Sequence, residues 1–373
     1  MHMTVNELDR VIDQSVRPHA EQVDASGEFP KESLAGLAAA GVMGLPMAES
    51  VGGGGGELAD AVTVIRKVAG ACGSTAMIVL MHYTAAAVID RFGPDEVKKA
   101  IATGEHLSTL AFSESGSRSQ FWVPLGTARA SAPGRVRLDA EKSWITAAGE
   151  ADTYVWSSQP FAAEGPMTLW LVPGDAAGLS EPGAFDGLGL RGNRSAPVVA
   201  SRVEVQDDAM LGADGAGLDI ALADVLPWFL VLNAAFSVGL MEAVTDETGA
   251  HLRSTRLEHL NQSLADTLVA RMDHARMRIA TDQAAALLTD TLAALAGQRP
   301  DALLRVLEVK AAAGEAAALV TDLAMKVCGG AAFRKELGIE RRFRDARALR
   351  VMAPTSDTLY DFVGRAINGL PLL

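Results

Sequence analysis

Apolar positions recur along this chain with two different periods, and the change of period divides it into three stretches. From about Thr4 to Glu105 the spacing is helical: Val5, Leu8, Val11 and Ile12 share one face, and Leu34, Leu37, Ala38 and Gly41 continue the theme. Leu58–Ala71 and Ser74–Phe92 read as two buried helices. Gly93-Pro94 breaks the second, and Asp95 and Glu96 place acids in the first turn of the next. From Leu107 to about Leu211 the period shortens. Ser108–Phe112, Arg135–Ala140, Thr153–Ser157, Thr168–Val172 and Ala196–Val205 are β-rich runs separated by Gly, Pro and Ser clusters, the rhythm of a small barrel or sandwich. Helical spacing then returns in Leu218–Arg253, Gln262–Gly297, Asp301–Cys328 and Asp357–Ile367, with Gly297 and Pro300 marking one turn. The pattern predicts an α+β protein with an N-terminal helical domain (residues 1–106), a central β-barrel domain (107–212) and a C-terminal four-helix bundle (213–373).

Composition narrows the picture. A chain of 373 residues is long for one core, and 49% hydrophobic with only 5% aromatic residues makes that core aliphatic and alanine-rich, which suits close helix packing. A formal charge of −13 argues against nucleic acid and anionic membrane as main partners. Cys72 and Cys328 give neither a disulfide framework nor a metal site, and the seven histidines show no ligand spacing, so no metal is expected. Asn6, Glu7, Asp9 and Arg10 make the start polar, unlike a signal peptide, and no charge-free run is long enough to span a bilayer; the expected location is the cytoplasm. Gly52–Gly56 has no buried strand before it and no Gly-Lys-Ser/Thr after it, so it reads as a flexible connector and not a phosphate loop.

Chemistry is suggested by Lys142–Gly149, Lys-Ser-Trp-Ile-Thr-Ala-Ala-Gly. Trp144 and Thr146 are two apart, so on an extended chain they face the same way. An indole beside a hydroxyl suits the face of a planar cofactor; a core tryptophan next to a turn threonine is the other reading of the octamer alone.

The wider chain resembles the acyl-CoA dehydrogenase family in its helix–barrel–helix order and in motifs spread over nearly its whole length. Phe29-Pro30 and Gly41-Val42-Met43-Gly44-Leu45 resemble the family's opening helices, and the run from Ala111 to Ser119 resembles its flavin loop. Lys142–Gly149 with Glu150-Ala151-Asp152 is similar to its second flavin segment, and Gly329-Gly330 and Glu340–Arg347 match its closing stretch. The resemblance implies FAD lying between barrel and bundle. Phe112 and Ser113 would then sit at the ring edge, Ser119 at the pyrophosphate, Trp144 against the isoalloxazine and Thr146 near its N5. Thr355 and Asp357 would approach the cofactor chain, and Gly329 and Gly330 are carried over with the cofactor-binding residues.

The same resemblance exposes departures. The family's usual base is the Glu of an Ile-Tyr-Glu-Gly-Thr-Ser stretch, and the matching run here is Val351-Met352-Ala353-Pro354-Thr355-Ser356, which puts Ala353 at the base position. Its N–H still suits a carbonyl oxygen, but it takes no proton. The alternative base position on the first long bundle helix falls near Trp228-Phe229-Leu230, without an acid; Asp224, four residues before Trp228, is the nearby carboxylate and a weak candidate. Glu114 and Asp357 are the other candidates for a relocated base. The segment from Ser254 to Gln262 lacks the Phe-Gly of the family's partner-subunit contact, and Lys326 and Arg118 stand where a Gln and a small residue are usual, as phosphate contacts or as surface cations.

Three functions follow from the resemblance. The first is an FAD-dependent dehydrogenase of an acyl thioester with its base away from the usual position, working with an electron-transfer partner. The second is a flavin-dependent monooxygenase or oxidase on the same fold, and the third a non-catalytic subunit of a mixed-subunit dehydrogenase. A homodimer or homotetramer is the expected assembly, a heteromer under the third reading.

Overall fold

Thr4 starts the first helix with a capping box: its hydroxyl accepts from the Glu7 amide, and the Glu7 carboxylate accepts from the Thr4 amide. The computed structural model describes residues 4–117 and 120–373, in two packing units: residues 1–64, 74–186 and 191–229 form the first, and 65–73, 187–190 and 230–373 the second. Six helices come first: α1 (Val5–Ser15), α2 (Ala20–Ser26), α3 (Lys31–Ala39), α4 (Leu58–Ala71), α5 (Gly73–Phe92) and α6 (Asp95–Ala102). The glycine run between α3 and α4 is not loose. The amides of Gly53, Gly54, Gly55 and Gly56 donate to carbonyls of residues 44–48, and a Cβ on Gly53 would meet the Met47 carbonyl at 2.3 Å.

The strands of the first unit are β1 (Ser108–Ala111), β2 (Thr127–Ala132), β3 (Arg135–Ile145), β4 (Thr153–Ser158), β5 (Thr168–Pro173), β6 (Leu179–Ser180) and β7 (Ala196–Gln206). They form two sheets, ordered β1-β4-β5 and β2-β3-β7-β6, with β1 parallel to β4 and the other pairs antiparallel. The expected β domain is therefore present as two sheets around one core. No closed barrel forms among the described residues, because the ladders leave β1, β5, β2 and β6 as edges. Leu138, Val198 and Val203 from one sheet meet Trp156, Trp170 and Val172 from the other in that core, as the alternation of burial along β3 and β7 requires. An isolated bridge between Glu114 and Lys142 links the segment after β1 to β3.

In the second unit, α8 (Leu226–Ser254), which begins in the first unit, α9 (Leu268–Ala296), α10 (Ala302–Cys328), α11 (Ile339–Val351) and α12 (Ser356–Ile367) make the helical bundle. A short helix α7 (Gly217–Ile220) and a π-helical turn (Ala221–Val225) lead into α8. Helix α10 packs against α9, α11 and α12. Between α8 and α9, Arg256–Leu257 and Gln262–Ser263 pair as a two-stranded hairpin, so α9 starts six residues later than its apolar spacing suggests. Gly239 lets α8 approach the Arg66 carbonyl, and Arg66 closes an ion pair with Glu242 across the same contact. Three helical stretches, Gly73–Phe92, Gly217–Ser254 and Ala302–Phe333, are long and apolar enough to cross a membrane by length and composition, and 83%, 72% and 44% of their most apolar windows are buried within the protein.

Candidate functional site

The first cluster is built on β3 and the loop that pairs with it. The Ser143 amide donates to the Ser113 carbonyl (3.0 Å) and the Ser115 amide to the Glu141 carbonyl (3.0 Å), so residues 112–115 lie along the strand that carries Trp144. Beneath this pairing, Lys142 Nζ lies 2.6 Å from Glu114 Oε1, 2.7 Å from the Ser157 carbonyl and 2.9 Å from Ser157 Oγ, and 5.0 Å above the Trp156 ring. Both charged side chains are almost fully shielded, and Glu114 also accepts from the amides of Leu125 and Gly126. Burial pushes the Lys142 ammonium down to about 8, against the opposing pull of Glu114.

Trp144 stands out on this anchored strand. It is 71% exposed and has φ +58°, a left-handed conformation that a bulky residue adopts only when its surroundings impose it. The pairing of β3 with β7 shifts register between Lys142 and Ile145. That bulge breaks the two-residue alternation, so Trp144 is exposed while Thr146 is buried with its hydroxyl 3.3 Å from Ser195 Oγ. Ser195 is a neighbour the sequence did not single out, because 49 residues separate it from Thr146. Phe112 is buried, with its ring 6.5 Å from that of Phe121. Ser119 and Arg118 lie outside the described residues.

The second cluster lies in the bundle. Gly329 ends α10 with φ +56° and ψ −136°, a backbone conformation open essentially to glycine alone, and neither Gly329 nor Gly330 has any atom within 4 Å of where a Cβ would stand. Thr355 caps α12, accepting from the Thr358 amide at 3.3 Å, and Asp357 is exposed in its first turn. Ala353 lies in the turn between α11 and α12, and its N–H has no protein acceptor among the described residues. Two residues at this turn carry signals the motif comparison missed. Lys310, on α10, donates to carbonyls of the turn, and Asn233, on α8, is fully buried with its Nδ2 3.6 Å from Met352 Sδ and its Oδ1 unpartnered. Each was visible as one polar residue inside an apolar helical stripe.

The acids distribute unevenly. Glu114 is held by Lys142, and Asp224, on the π-helical turn, accepts from Arg91 through both oxygens at 2.6 and 2.8 Å. Lys326 donates to Asp273 at 2.7 Å, and Arg256 to Asn261 Oδ1 at 2.9 Å inside the hairpin. Among the described residues no group of three His, Cys, Asp or Glu side chains could hold a metal.

The observations fit a flavin. Within the first unit a large flat indole is left open on a strand braced by the buried Lys142–Glu114 pair. Within the second, the two-glycine backbone at Gly329 and Gly330 has open space where side chains would stand. Comparison with known proteins gives the same direction. Residues 1–104 match the family model for the acyl-CoA dehydrogenase N-terminal domain, and residues 215–368 the model for its C-terminal domain. The chain is 27% identical over 356 residues to the probable acyl-CoA dehydrogenase YngJ of Bacillus subtilis, covering 92% of this chain and 91% of that protein. It is 28% identical over 357 residues to the human mitochondrial short-chain specific acyl-CoA dehydrogenase, covering 91% and 83%. Its fold superposes on butyryl-CoA dehydrogenase from Megasphaera elsdenii with a TM-score of 0.90 at 20% identity, over 99% of both chains. An FAD complex of PigA superposes with a TM-score of 0.90 at 18% identity, again over 99% of both.

Proposed function

The chain belongs to the acyl-CoA dehydrogenase family, and from that premise we propose that it oxidises an acyl thioester with Ala353 at the position of the family's base. Its cofactor is FAD, which when bound supplies the acceptor for the hydride of an α,β-dehydrogenation. The observation that carries the reading is the exposed indole of Trp144, held at positive φ above the buried Lys142–Glu114 pair.

Trp144 would lie against the flavin ring, with Thr146, Ser113 and Phe112 along its edge. Gly329, Gly330, Thr355 and Asp357 are the bundle residues that would meet the rest of the cofactor, and Ser119 its pyrophosphate. The Ala353 N–H donates to the thioester carbonyl oxygen and so stabilises the charge that develops there when a base away from the usual position takes the α proton. No base is assigned to this chain: Lys142 neutralises Glu114, Arg91 neutralises Asp224, and Asp357 stands in solvent. That distribution also favours a second reading, oxygen chemistry at the flavin, which needs no carboxylate at Ala353.

Exposed Leu268, Val269, Met272 and Ile279 on α9 and Leu319 on α10 support assembly with further copies of the chain, with an electron-transfer partner re-oxidising the flavin. Light scattering on the purified protein tests the assembly, and a monomer would overturn it. For the activity, purified protein is assayed for FAD and mixed anaerobically with a panel of acyl thioesters. Bleaching of the flavin by at least one is expected, and no bleaching by any, with oxygen consumed by the reduced protein, would favour the second reading.

A further inference from the structure

Lys310 occupies a core position of α10. It is 1% exposed, on a helix face whose other members include Val306, Leu307, Ala313 and Ala317. An apolar side chain would serve packing there, and burying an ammonium is costly unless its donors are satisfied. Its Nζ meets three main-chain oxygens, of Leu349 (3.3 Å), Met352 (2.9 Å) and Pro354 (2.7 Å). Three acceptors match the three N–H donors of an ammonium, so although burial pushes its pKa down to about 7, the geometry commits the side chain to holding this turn.

All three oxygens belong to the end of α11 and the turn after it, and two of them flank Ala353. The Met352 carbonyl and the Ala353 N–H share one trans peptide plane, in which C=O and N–H point in opposite directions. Holding the carbonyl toward the ammonium therefore aims the N–H away from it, and that N–H has no protein acceptor among the described residues. The same α11 C-terminus gains from a nearby cation, because its last carbonyls carry partial negative charge.

We propose that Lys310 is a positioning residue: by holding the Met352 carbonyl it sets the Ala353 N–H as the donor that receives the carbonyl oxygen of a bound thioester. The proposal rests on the thioester reading above and extends it to a side chain that touches neither substrate nor cofactor.

The test compares the full-length protein with Lys310→Met, an unbranched apolar side chain of similar length, and with Lys310→Gln, which keeps two N–H donors. Hydrogen exchange of the amides in residues 351–356 is measured first, without ligand. Exchange is expected to rise roughly tenfold in Lys310→Met and less in Lys310→Gln, with α9 unchanged; equal exchange in all three proteins would overturn the positioning role. The carbonyl stretch of a saturated acyl-CoA labelled with 13C at the thioester carbon is then recorded on each protein. A downshift on the wild type that largely disappears in Lys310→Met is expected, and the same downshift in both would also overturn it. A wild type that binds no thioester defeats the functional reading, whereas the exchange measurement still decides whether Lys310 holds the turn. Should Lys310→Met not fold, both measurements are made on Lys310→Gln.

Discussion

Lys142 Nζ lies 2.6 Å from Glu114 Oε1 with neither side chain open to solvent, and this pair ties the segment after β1 to the strand that presents Trp144. The charge of each is satisfied only by the other and by fixed neighbours: Ser157 on one side, the Leu125 and Gly126 amides on the other. Lys142→Met would strand a buried carboxylate, at a cost of about 3–5 kcal/mol in urea unfolding. Lys142→Met with Glu114→Gln should cost clearly less than the sum of the single changes, and FAD content should fall in both single variants. Strict additivity of the two costs would show that the pair does not act as a unit.

Trp144 separates cofactor binding from stability. At 71% exposure the indole contributes little to the core, and its φ of +58° is strained. Trp144→Ala is expected to leave stability within about 1 kcal/mol of the wild type, and Trp144→Gly to be at least as stable as the alanine variant, because glycine accepts positive φ. Flavin affinity, read by titration of the apoprotein, should drop roughly tenfold or more in both, in line with the loss of an aromatic contact of about 0.5–1.5 kcal/mol and its buried area. An alanine variant that unfolds as easily as Lys142→Met would make Trp144 a core residue instead.

The layout of helices and strands was legible because its patterns are local. The apolar face of α1, the alternation along β3 and the long apolar stretches of α8 and α10 each lie within a few consecutive turns or residues. Helix α11 was not legible: its buried positions include Arg342 and Asp345 as well as Ile339, Ala346 and Leu349, so charged side chains interrupt the apolar stripe. Arg342 is satisfied by Glu247 and the Gly70 carbonyl, and Asp345 by the Leu190 amide, partners far away in sequence. At the site, the motif comparison brought Trp144 and Thr146 forward, yet their relation on the strand depends on a bulge opposite β7 that no spacing rule announces. The Lys142–Glu114 pair spans 28 residues and the Lys310 contacts about 40, and pairings over such distances are set by tertiary packing.

His82 should make stability fall in acid. It is fully buried, its Nε2 is 3.1 Å from the Met43 carbonyl and its Nδ1 accepts from the Ser108 amide, which holds it as the neutral tautomer. Burial pushes its pKa down from 6.5 to about 4, although both hydrogen-bonded neighbours and Asp152 oppose the shift and His106 adds to it. Between those values the unfolded chain binds a proton that the folded one refuses, so stability is complete above pH 6.5 and declines as pH falls toward 4. The expected loss is about 3 kcal/mol across that window. His82→Gln, less stable at pH 7.5, should show a flatter decline in thermal unfolding followed from pH 7.5 to 4.5; an unchanged slope would assign the acid sensitivity elsewhere.

Ala353→Glu asks whether the chemistry lacks only its base. The turn that carries Ala353 is held by Lys310 through the Met352 and Pro354 carbonyls, so a side chain added there starts from a braced backbone. If thioesters bind with their carbonyl at the Ala353 amide, a carboxylate on the same residue comes close to the α carbon, the next atom along the acyl chain. A general base of that kind is worth roughly 10²–10⁴ in rate, so anaerobic bleaching of the flavin by a bound acyl-CoA should accelerate by about 10²-fold or more. The rate should rise with pH through the ordinary carboxylate range, since only the ionised form accepts the proton. Thioester bound as tightly as in the wild type, with no gain in bleaching at any pH, would mean that the substrate's α carbon does not face this turn.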